Sequence, residues 1–180
     1  MNQSVSVLAE AARRGETRAF EQLVRQYMQK AYFFTLGLVG NREDALDISQ
    51  NAFFKAYRGI RSLGSTEKFP SWFFSILRNE TVNYIKKAKS KRLESLEQRE
   101  SFLLYTDQSL PEHERAAVCR TVQDAIRSLP LDMQEILIMQ HFQGLDYSEI
   151  ADLLGIPRGS VASRLYRARA ALKRKLNGII

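Results

Sequence analysis

Residues 146 to 176 read DYSEIADLLGIPRGSVASRLYRARAALKRKL, and this stretch decides the fold of the C-terminal part of the chain. Asp146 is a favourable N-cap residue, and Glu149 three positions later completes a capping-box pattern. The pattern predicts a short helix from Tyr147 to Leu154. Gly155 should end that helix, because glycine readily adopts the left-handed conformation that often follows a helix C-terminus.

A long basic helix is predicted directly after this turn. Pro157 suits the first turn of a helix but not its interior, so the helix should run from about Arg158 to Leu176. Two helices joined by a tight, glycine-containing turn are typical of a helix-turn-helix. Ala151 would let the two helices cross closely, Gly155 would permit the turn and Val161 would fill the angle between them.

The charge of this second helix is strongly one-sided. The apolar residues that recur at helical spacing are Val161, Leu165, Ala168 and Leu172. The residues left on the opposite side are Ser160, Ser163, Arg164 and Arg167. From Ile156 onward the sequence has seven Lys and Arg residues and no acidic one. Such a surface is suited to duplex DNA, because cationic side chains release condensed counterions and a helix fits the major groove. The alternative interpretation is an amphipathic helix whose charged face is simply solvated.

The composition of the whole chain limits the possible classes of protein. With 180 residues, of which 44% are hydrophobic, the chain can form one or two domains with packed cores. The formal net charge of +7 favours a polyanionic partner, either nucleic acid or an acidic membrane surface. No apolar run reaches 18 residues and the N-terminus is too polar for a signal peptide, so we expect a cytoplasmic protein without membrane insertion.

The cysteine and histidine content offers no basis for a disulfide or a metal site. Cys119 is the only cysteine of the sequence, and His113 and His141 lack partners at metal-ligand spacing. We therefore expect no metal and no cofactor. A phosphate-binding loop and a nucleophile paired with a base are also missing from the sequence, so an enzyme is the least supported class.

Three regions are distinguished by composition: an aromatic region at 1–91, a mixed-charge linker at 92–114 and a helical region at 115–180. Apolar residues at intervals of three and four predict a helix over 17–38, a second helix after the cap residue Asn41, and a third over 71–87. The aromatic residues predicted to be core are Phe69, Trp72, Phe73 and Phe74.

The C-terminal region contains two further predicted helices before the helix-turn-helix. The first carries Val118 to Leu129 and is broken by Pro130, and the second ends at about Gly144. No segment of the chain alternates with the period of a strand. The predicted fold class is therefore all-α, with two helical domains joined by a flexible linker, and the C-terminal domain has four helices.

Three segments of the sequence resemble a known family. They are DALDISQNAFFKAY at 44–57, FPSWFFSILRNETVNYIKK at 69–87 and LPLDMQEILIMQHFQGLDYSEIADLLGIPRGSVASRLYRARAALKRKL at 129–176. In content, order and spacing they resemble the sigma-70 family of bacterial transcription initiation factors, in its extracytoplasmic function (ECF) subgroup. The resemblance implies that 1–91 is sigma domain 2, that 92–114 is the linker, and that 115–180 is sigma domain 4.

The resemblance also implies a polymerase partner. In the family, the first segment docks on the clamp helices of the largest subunit of core RNA polymerase, and the polymerase flap is a further contact. The residues implied in core polymerase binding are Asp44, Asp47, Gln50, Asn51 and Phe53. The family usually has Glu at the position of Asn51, so loss of that charge could retune the docking.

Promoter DNA is the second implied partner, contacted in two places. The residues implied in capturing melted minus-10 DNA are Arg61, Ser62, Ser65, Thr66, Lys68, Arg78, Asn79, Asn83, Lys86 and Lys87. The residues implied in reading the minus-35 duplex are Arg158, Ser160, Ser163, Arg164 and Arg167, with Arg169 and Lys173 on phosphates. Asn and Arg suit contacts to bases, whereas Lys suits phosphates.

The function implied is that of an alternative sigma factor: it binds core polymerase, directs initiation at specific promoters and is held inactive by an anti-sigma factor. The linker resembles the acidic connector of the family, although a plain tether is equally compatible with it. An autonomous helix-turn-helix regulator that binds operators as a dimer is the other hypothesis. That hypothesis explains 129–176 but leaves 44–87 without a role.

Overall fold

The structure, a computed structural model, describes residues 4–91, 112–141 and 145–177, and every regular element in these ranges is helical. Its α-helices are α1 (Val5–Arg13), α2 (Thr17–Val39), α3 (Arg42–Gly59), α4 (Phe69–Lys91), α5 (Glu112–Arg127), α6 (Leu131–His141), α7 (Tyr147–Leu154) and α8 (Arg158–Leu176). Two 3-10 turns, Ile60–Ser62 and Thr66–Lys68, join α3 to α4. The all-α fold class is confirmed.

The break between α2 and α3 has a clear local cause. Gly40 ends α2 in the left-handed conformation with φ of 75°, and its amide donates to the carbonyl of Leu36. Asn41 then caps α3, since its side-chain oxygen accepts a hydrogen bond from the amide of Asp44 at 3.0 Å. The cap predicted at Asn41 is therefore present, and it turns α3 back so that it packs along α2.

The core of the N-terminal half is built largely from aromatic rings. Phe53 of α3 stacks on Phe73 of α4 with ring centroids 4.4 Å apart, and Phe69 stacks on the other side of Phe73 at 6.0 Å. Tyr27 of α2 meets both Phe69 and Phe73 edge-on. Phe69, Phe73 and Phe74 are buried, as the sequence predicted, whereas Trp72 is only half-buried.

The observed helices differ from the predicted ones in three places. Helix α1 was not predicted; it packs on α2 and buries Leu8, Ala9 and Ala12. Helix α4 begins at Phe69 rather than Ser71, because Pro70 is tolerated in a first turn, and it continues to Lys91 because no helix breaker follows the predicted end at residue 87. Helix α5 begins inside the segment predicted as linker.

Two predicted features, most of the linker and one helix end, fall on residues that the structure does not describe. Residues 92–111 lie outside the described residues, and α5 starts directly after them. The predicted helix end at Gly144 also lies outside the described residues, whereas α6 ends at His141.

The C-terminal half forms its own core around α6. Helix α6 is almost entirely buried from Gln134 to Met139, and α8 packs along it through Val161, Leu165 and Ala168. The Gln134 amide donates to the carbonyl of Leu129 at 2.7 Å and to a second carbonyl at the end of α5. This side chain thereby satisfies carbonyls that the end of a helix leaves without partners.

The two halves pack directly against each other. Helix α7 lies against α4, and α6 lies against α2. The Arg127 guanidinium covers Gly40 so closely that a Cβ atom at this position would collide with it. Glycine is favoured at position 40 for its left-handed backbone, whereas the Arg127 side chain could shift to make room for a Cβ atom.

Candidate nucleic-acid and polymerase interfaces

The start of α7 is fixed by a complete capping box. The Asp146 carboxylate accepts hydrogen bonds from the amides of Ser148 at 2.7 Å and Glu149 at 2.9 Å. The Glu149 carboxylate in turn accepts one from the amide of Asp146 at 2.8 Å. Two otherwise unpaired amides and the N-cap amide are therefore satisfied, and α7 begins where the sequence predicted.

The turn between α7 and α8 is determined by backbone conformation. Gly155 has φ of 63° and ψ of 36°, and a Cβ atom there would meet nothing within 4 Å, so glycine is needed for its left-handed conformation rather than for space. Ala151 and Val161 are buried at the crossing of the two helices. Pro157 is the N-cap of α8, which spans the predicted residues. The predicted helix-turn-helix is therefore confirmed as a structure.

The outward face of α8 presents most of the predicted minus-35 residues. Those that are exposed are Arg158, Ser163, Arg167, Arg169 and Lys173. Ser160 and Arg164 are half-buried, because both lie beside the buried stripe rather than opposite to it. Arg169 donates a hydrogen bond of 2.6 Å to the Gln140 side chain of α6, which orients its guanidinium.

Tyr166 was missed by the sequence reasoning, although it is the most exposed large apolar side chain of the described residues at 76%. It is three positions after Ser163 and three before Arg169, so it shares the outward face with these two exposed residues. A phenol ring there could contact a thymine methyl group or donate to a phosphate. Its position outside the apolar stripe of α8 was the available signal.

The loop before α4 is anchored by a buried residue at its centre, while residues on both sides of it are exposed. Leu63 is buried, and its carbonyl accepts a hydrogen bond of 3.4 Å from the Arg13 guanidinium of α1. Arg13 is itself held by Glu10, 2.8 Å away. Helix α1, which was not predicted from the sequence, therefore holds the loop in place through Arg13.

The predicted minus-10 residues, together called the minus-10 path, lie in this loop and on α4, which follow one another along the chain. Those that are exposed are Arg61, Ser62, Lys68, Asn79, Asn83, Lys86 and Lys87. Those that are half-buried are Ser65, Thr66 and Arg78. The path combines positive charge with amide side chains, the chemistry that holds a single strand.

The candidate polymerase surface on α3 is mostly as predicted, with one correction. Asp47, Gln50 and Asn51 are exposed on one side of the helix, and Asp44 is half-buried at its first turn. Phe53 is only 5% exposed, so it cannot contact a partner directly. Its ring belongs to the aromatic core, where it stacks on Phe73 of α4.

Two exposed apolar residues on α3 were not predicted. Phe54 is 59% exposed, with the Arg58 guanidinium 5.6 Å from the centre of its ring, and Leu46 is also exposed. Leu46, Gln50 and Phe54 follow one another at intervals of four and share a face of the helix. Exposed aromatic and apolar side chains beside polar ones are the composition of many protein–protein interfaces.

The described ranges offer little else of chemical interest. Among their residues, no group of His, Cys, Asp and Glu is arranged to hold a metal ion. None of the helices in these ranges is both long enough and apolar enough to cross a membrane. Burial raises the pKa of Tyr27, and the Glu149 carboxylate adds to that effect, so this phenol stays protonated.

Two family descriptions match the chain. Sigma-70 region 2 matches residues 23–91, and Sigma-70 region 4 matches residues 119–172. The first match contains the candidate polymerase surface and the minus-10 path, and the second contains the helix-turn-helix.

Curated relatives are similar over nearly the whole chain. The RNA polymerase sigma-H factor of Pseudomonas aeruginosa is 32% identical, covering 96% of this chain and 94% of that protein. The ECF RNA polymerase sigma factor SigW of Bacillus subtilis is 31% identical, with 93% and 94% covered. The ECF sigma-E factor of Escherichia coli is 32% identical, with 97% and 95% covered.

Solved structures share the fold. CnrH in complex with the cytosolic domain of CnrY superposes with a TM-score of 0.76 at 21% identity, covering 99% of this chain and 100% of that one. The sigma factor RpoE of Bartonella quintana, in complex with the anti-sigma factor NepR, gives 0.66 at 23% identity, with 89% and 98% covered. The resemblance inferred from the sequence is confirmed, and the chain belongs to the ECF group of the sigma-70 family of transcription initiation factors.

Proposed function

We propose that this chain is a dissociable specificity subunit that binds core RNA polymerase and directs it to promoters with defined minus-35 and minus-10 elements. The observation that carries the proposal is the presence of two differently built basic surfaces in one chain. One is a helix-turn-helix suited to duplex DNA, and the other is a loop followed by a helix suited to a single strand. An autonomous regulator would need only the first.

The minus-35 duplex is assigned to α8. Arg158 and Ser163 are exposed in the N-terminal half of α8, where a recognition helix contacts base edges, and Arg167 is exposed at its middle. Arg164 lies beside them, while Arg169 and Lys173 are placed further along to contact phosphates. Tyr166 is also assigned to this surface, because its side chain is exposed.

The melted minus-10 strand is assigned to the loop and α4. The 3-10 turns of the loop hold Ser62, Ser65 and Lys68 around the buried Leu63, which gives the loop a fixed shape for a displaced base. Asn79 and Asn83, exposed and four positions apart on α4, lie one helical turn apart and can contact successive bases.

Polymerase binding is assigned to α3, through Asp47, Gln50 and Asn51 with Leu46 and Phe54 at the edges.

We extend the proposal to control by an anti-sigma factor. Two solved structures of this fold support it: one is a complex with an anti-sigma factor, and the other is a complex with the cytosolic domain of another protein. We place the protein in the cytoplasm, because the polymerase and the promoter are there.

The direct test is transcription in vitro with core polymerase on genomic fragments, followed by mapping of the start sites. Arg164→Ala should weaken promoter use by about 1–3 kcal/mol and relax the preference at one base pair of the minus-35 element, if this guanidinium reads a base. Lys173→Ala is the matched control, since loss of a phosphate contact weakens all sequences alike. Failure to program core enzyme on any fragment would refute the proposal.

A further inference from the structure

The loop between α3 and α4, residues 60–68, is joined to α1 by the side chain of Arg13. The Arg13 guanidinium donates from Nη1 to the carbonyl oxygen of Leu63 at 3.4 Å, 50 residues further along the chain. Its Nη2 lies 2.8 Å from Oε2 of Glu10. Arg13 therefore links a carboxylate of α1 to the backbone at the centre of the loop, where Leu63 lies between the two 3-10 turns.

The position of Arg13 is fixed by α1 itself. Gly15 has φ of 100°, and the amide of Glu16 donates to the carbonyl of Ala11 at 3.1 Å, which closes the helix directly after Arg13. The hydrogen bond from Arg13 is the main cause that lowers the pKa of Glu10, so this carboxylate is charged at neutral pH and holds the guanidinium. Helix α1 also packs against both turns of the loop.

The contact with Arg13 orients the peptide unit between Leu63 and Gly64. The described residues contain no cis peptide bond, and in a planar trans peptide the N–H points opposite to the C=O. Because the Leu63 carbonyl points toward Arg13, the Gly64 amide points away from α1. Gly64 is exposed, and a Cβ atom there would meet nothing within 4 Å, so the space beside this part of the backbone is open.

A cavity of about 580 Å³ adjoins this part of the loop. Gly64, Ser65 and Lys68 of the loop line it together with Trp72 of α4, and the end of α7 forms the remaining wall. No residue of α1, all of which the structure describes, lines the cavity. Arg13 therefore acts on the cavity from outside, through the backbone of the loop.

The loop is the wall of this cavity whose shape depends most on Arg13. The α4 wall belongs to a continuous helix, and Arg78 on that helix is paired with Glu135 of α6 at 2.9 Å. The loop instead consists of two single 3-10 turns, whose hydrogen bonds have poorer geometry than those of an α-helix. A side chain that holds the carbonyl between the two turns therefore determines how this wall is shaped.

The groups on these walls are suited to a nucleobase that has left its strand. Proteins recognise such a base by hydrogen bonds to its edge and by packing against an aromatic or apolar side chain. Trp72 provides an aromatic ring, and the Gly64 amide provides a hydrogen-bond donor. An amide donor pairs only with an acceptor atom, so the direction of this N–H affects which base edges fit beside it.

We propose that Arg13 is a positioning residue for base selection in the minus-10 element, because it holds the Leu63–Gly64 peptide so that the Gly64 amide faces the displaced base. The proposal rests on the function proposed above, since it concerns how the same loop holds melted DNA. Arg13 touches no base and acts through the loop. Its loss should relax the preference at one position of the minus-10 element and leave the other positions unchanged.

The test compares Arg13→Ala with Arg14→Ala in the full chain. Both variants remove a cation that pairs with Glu10, but Arg14 is 72% exposed, whereas Arg13 also reaches the loop. Transcription with core polymerase uses templates that carry each of the four bases at every minus-10 position. Arg13→Ala should lower the discrimination between bases at one position about three- to tenfold, the range expected for one hydrogen bond. Arg14→Ala should keep the wild-type ratios.

The ratio between bases separates positioning from a general loss of structure, because fewer active molecules lower transcription from all templates alike. Arg13→Lys keeps a cationic donor and should retain more discrimination than Arg13→Ala. Glu10→Gln removes the carboxylate that orients the guanidinium, and it replaces Arg13→Ala as the test if that variant loses its helical circular dichroism. If neither Arg13→Ala nor Glu10→Gln changes the ratio at a single position relative to Arg14→Ala, the positioning role is refuted.

A measurement without polymerase separates this proposal from the function beneath it. Amide hydrogen exchange of residues 60–68, followed by mass spectrometry, should be faster in Arg13→Ala than in Arg14→Ala. The emission of Trp72, the only tryptophan of the chain, should shift in the same variant. If only the function is wrong, the loop still loosens in Arg13→Ala while no variant supports transcription. If only the positioning is wrong, the wild-type chain programs polymerase and the loop exchanges equally in both variants.

Discussion

At the scale of single residues, Asp146 contributes more to the helix-turn-helix than its exposed position suggests. Its carboxylate satisfies two amides at the start of α7, while its own amide is satisfied by Glu149. An N-cap of this kind stabilises a helix because the first amides have no partners within it. Since α7 packs on α8, the capping box also stabilises the helix-turn-helix.

Substitution of Asp146 tests this contribution. Asp146→Ala should lower the free energy of unfolding by about 1 kcal/mol, because two amides lose their acceptor. Asp146→Asn is the control, since an amide oxygen caps nearly as well and should leave stability close to wild type. Urea denaturation followed by far-UV circular dichroism measures both. Equal stability of the Ala and wild-type chains would contradict the assigned role.

At the scale of elements, α3 performs two tasks on opposite faces. One face carries Phe53 into the aromatic core against α4, and the other presents Gln50 and Asn51 to solvent. A rigid helix is a good support for a docking surface, because packing on one side fixes the orientation of side chains on the other. Lys55 of α3 also meets Glu80 of α4 at 2.6 Å, an exposed ion pair that adds little.

Two phenylalanines separate the packing task from the docking task. Phe73→Ala should cost about 3–5 kcal/mol of stability, because Phe73 is fully buried between Phe53 and Phe69. Phe54→Ala should change stability by no more than about 0.5 kcal/mol, because this ring is exposed. Thermal and urea unfolding measure both values. A large loss of stability in Phe54→Ala would contradict the assignment of Phe54 to the surface.

The Phe54→Ala variant also addresses docking. Phe54→Ala should weaken binding to core polymerase while remaining folded, because it removes the apolar edge of the α3 surface. Analytical ultracentrifugation with core enzyme provides the measurement. Unchanged binding would remove Phe54 from the proposed surface and leave the polar residues to carry it.

At the scale of the whole molecule, the contact between the halves should respond to pH. Burial raises the pKa of Glu135, opposed by Arg78 and Arg164 and assisted by Asp132. A raised pKa means that the folded protein binds this proton more tightly than the unfolded chain does. The stabilisation is therefore present below the ordinary pKa of glutamate and is lost as pH rises through the folded-state value.

Glu135→Gln isolates this effect from that of other carboxyl groups. As the pH falls from neutral toward the ordinary pKa of glutamate, the wild-type chain should gain stability relative to Glu135→Gln. Urea midpoints measured in parallel for the two chains give this difference, and groups common to both cancel. A difference that does not vary with pH would mean that Glu135 titrates normally in the folded protein.

The features that the sequence determined by itself are local in origin. The capping box at Asp146, the left-handed Gly155, the cap at Asn41 and the buried stripe of α8 all arise within a few residues of one another, so helical spacing and side-chain chemistry predict them. The resemblance of three segments, 44–57, 69–87 and 129–176, identified the family. Helix α1 was not predicted, although Leu8 and Ala12 lie at helical spacing.

Only the tertiary structure decided which residues are available to a partner. Phe53 became core because α4 packs on its side of α3, and Phe54 and Tyr166 stayed exposed because no helix of the described ranges buries them. The contact of Arg78 with Glu135 joins residues 57 positions apart. Such contacts depend on how whole helices cover one another, and no spacing along the chain encodes that burial.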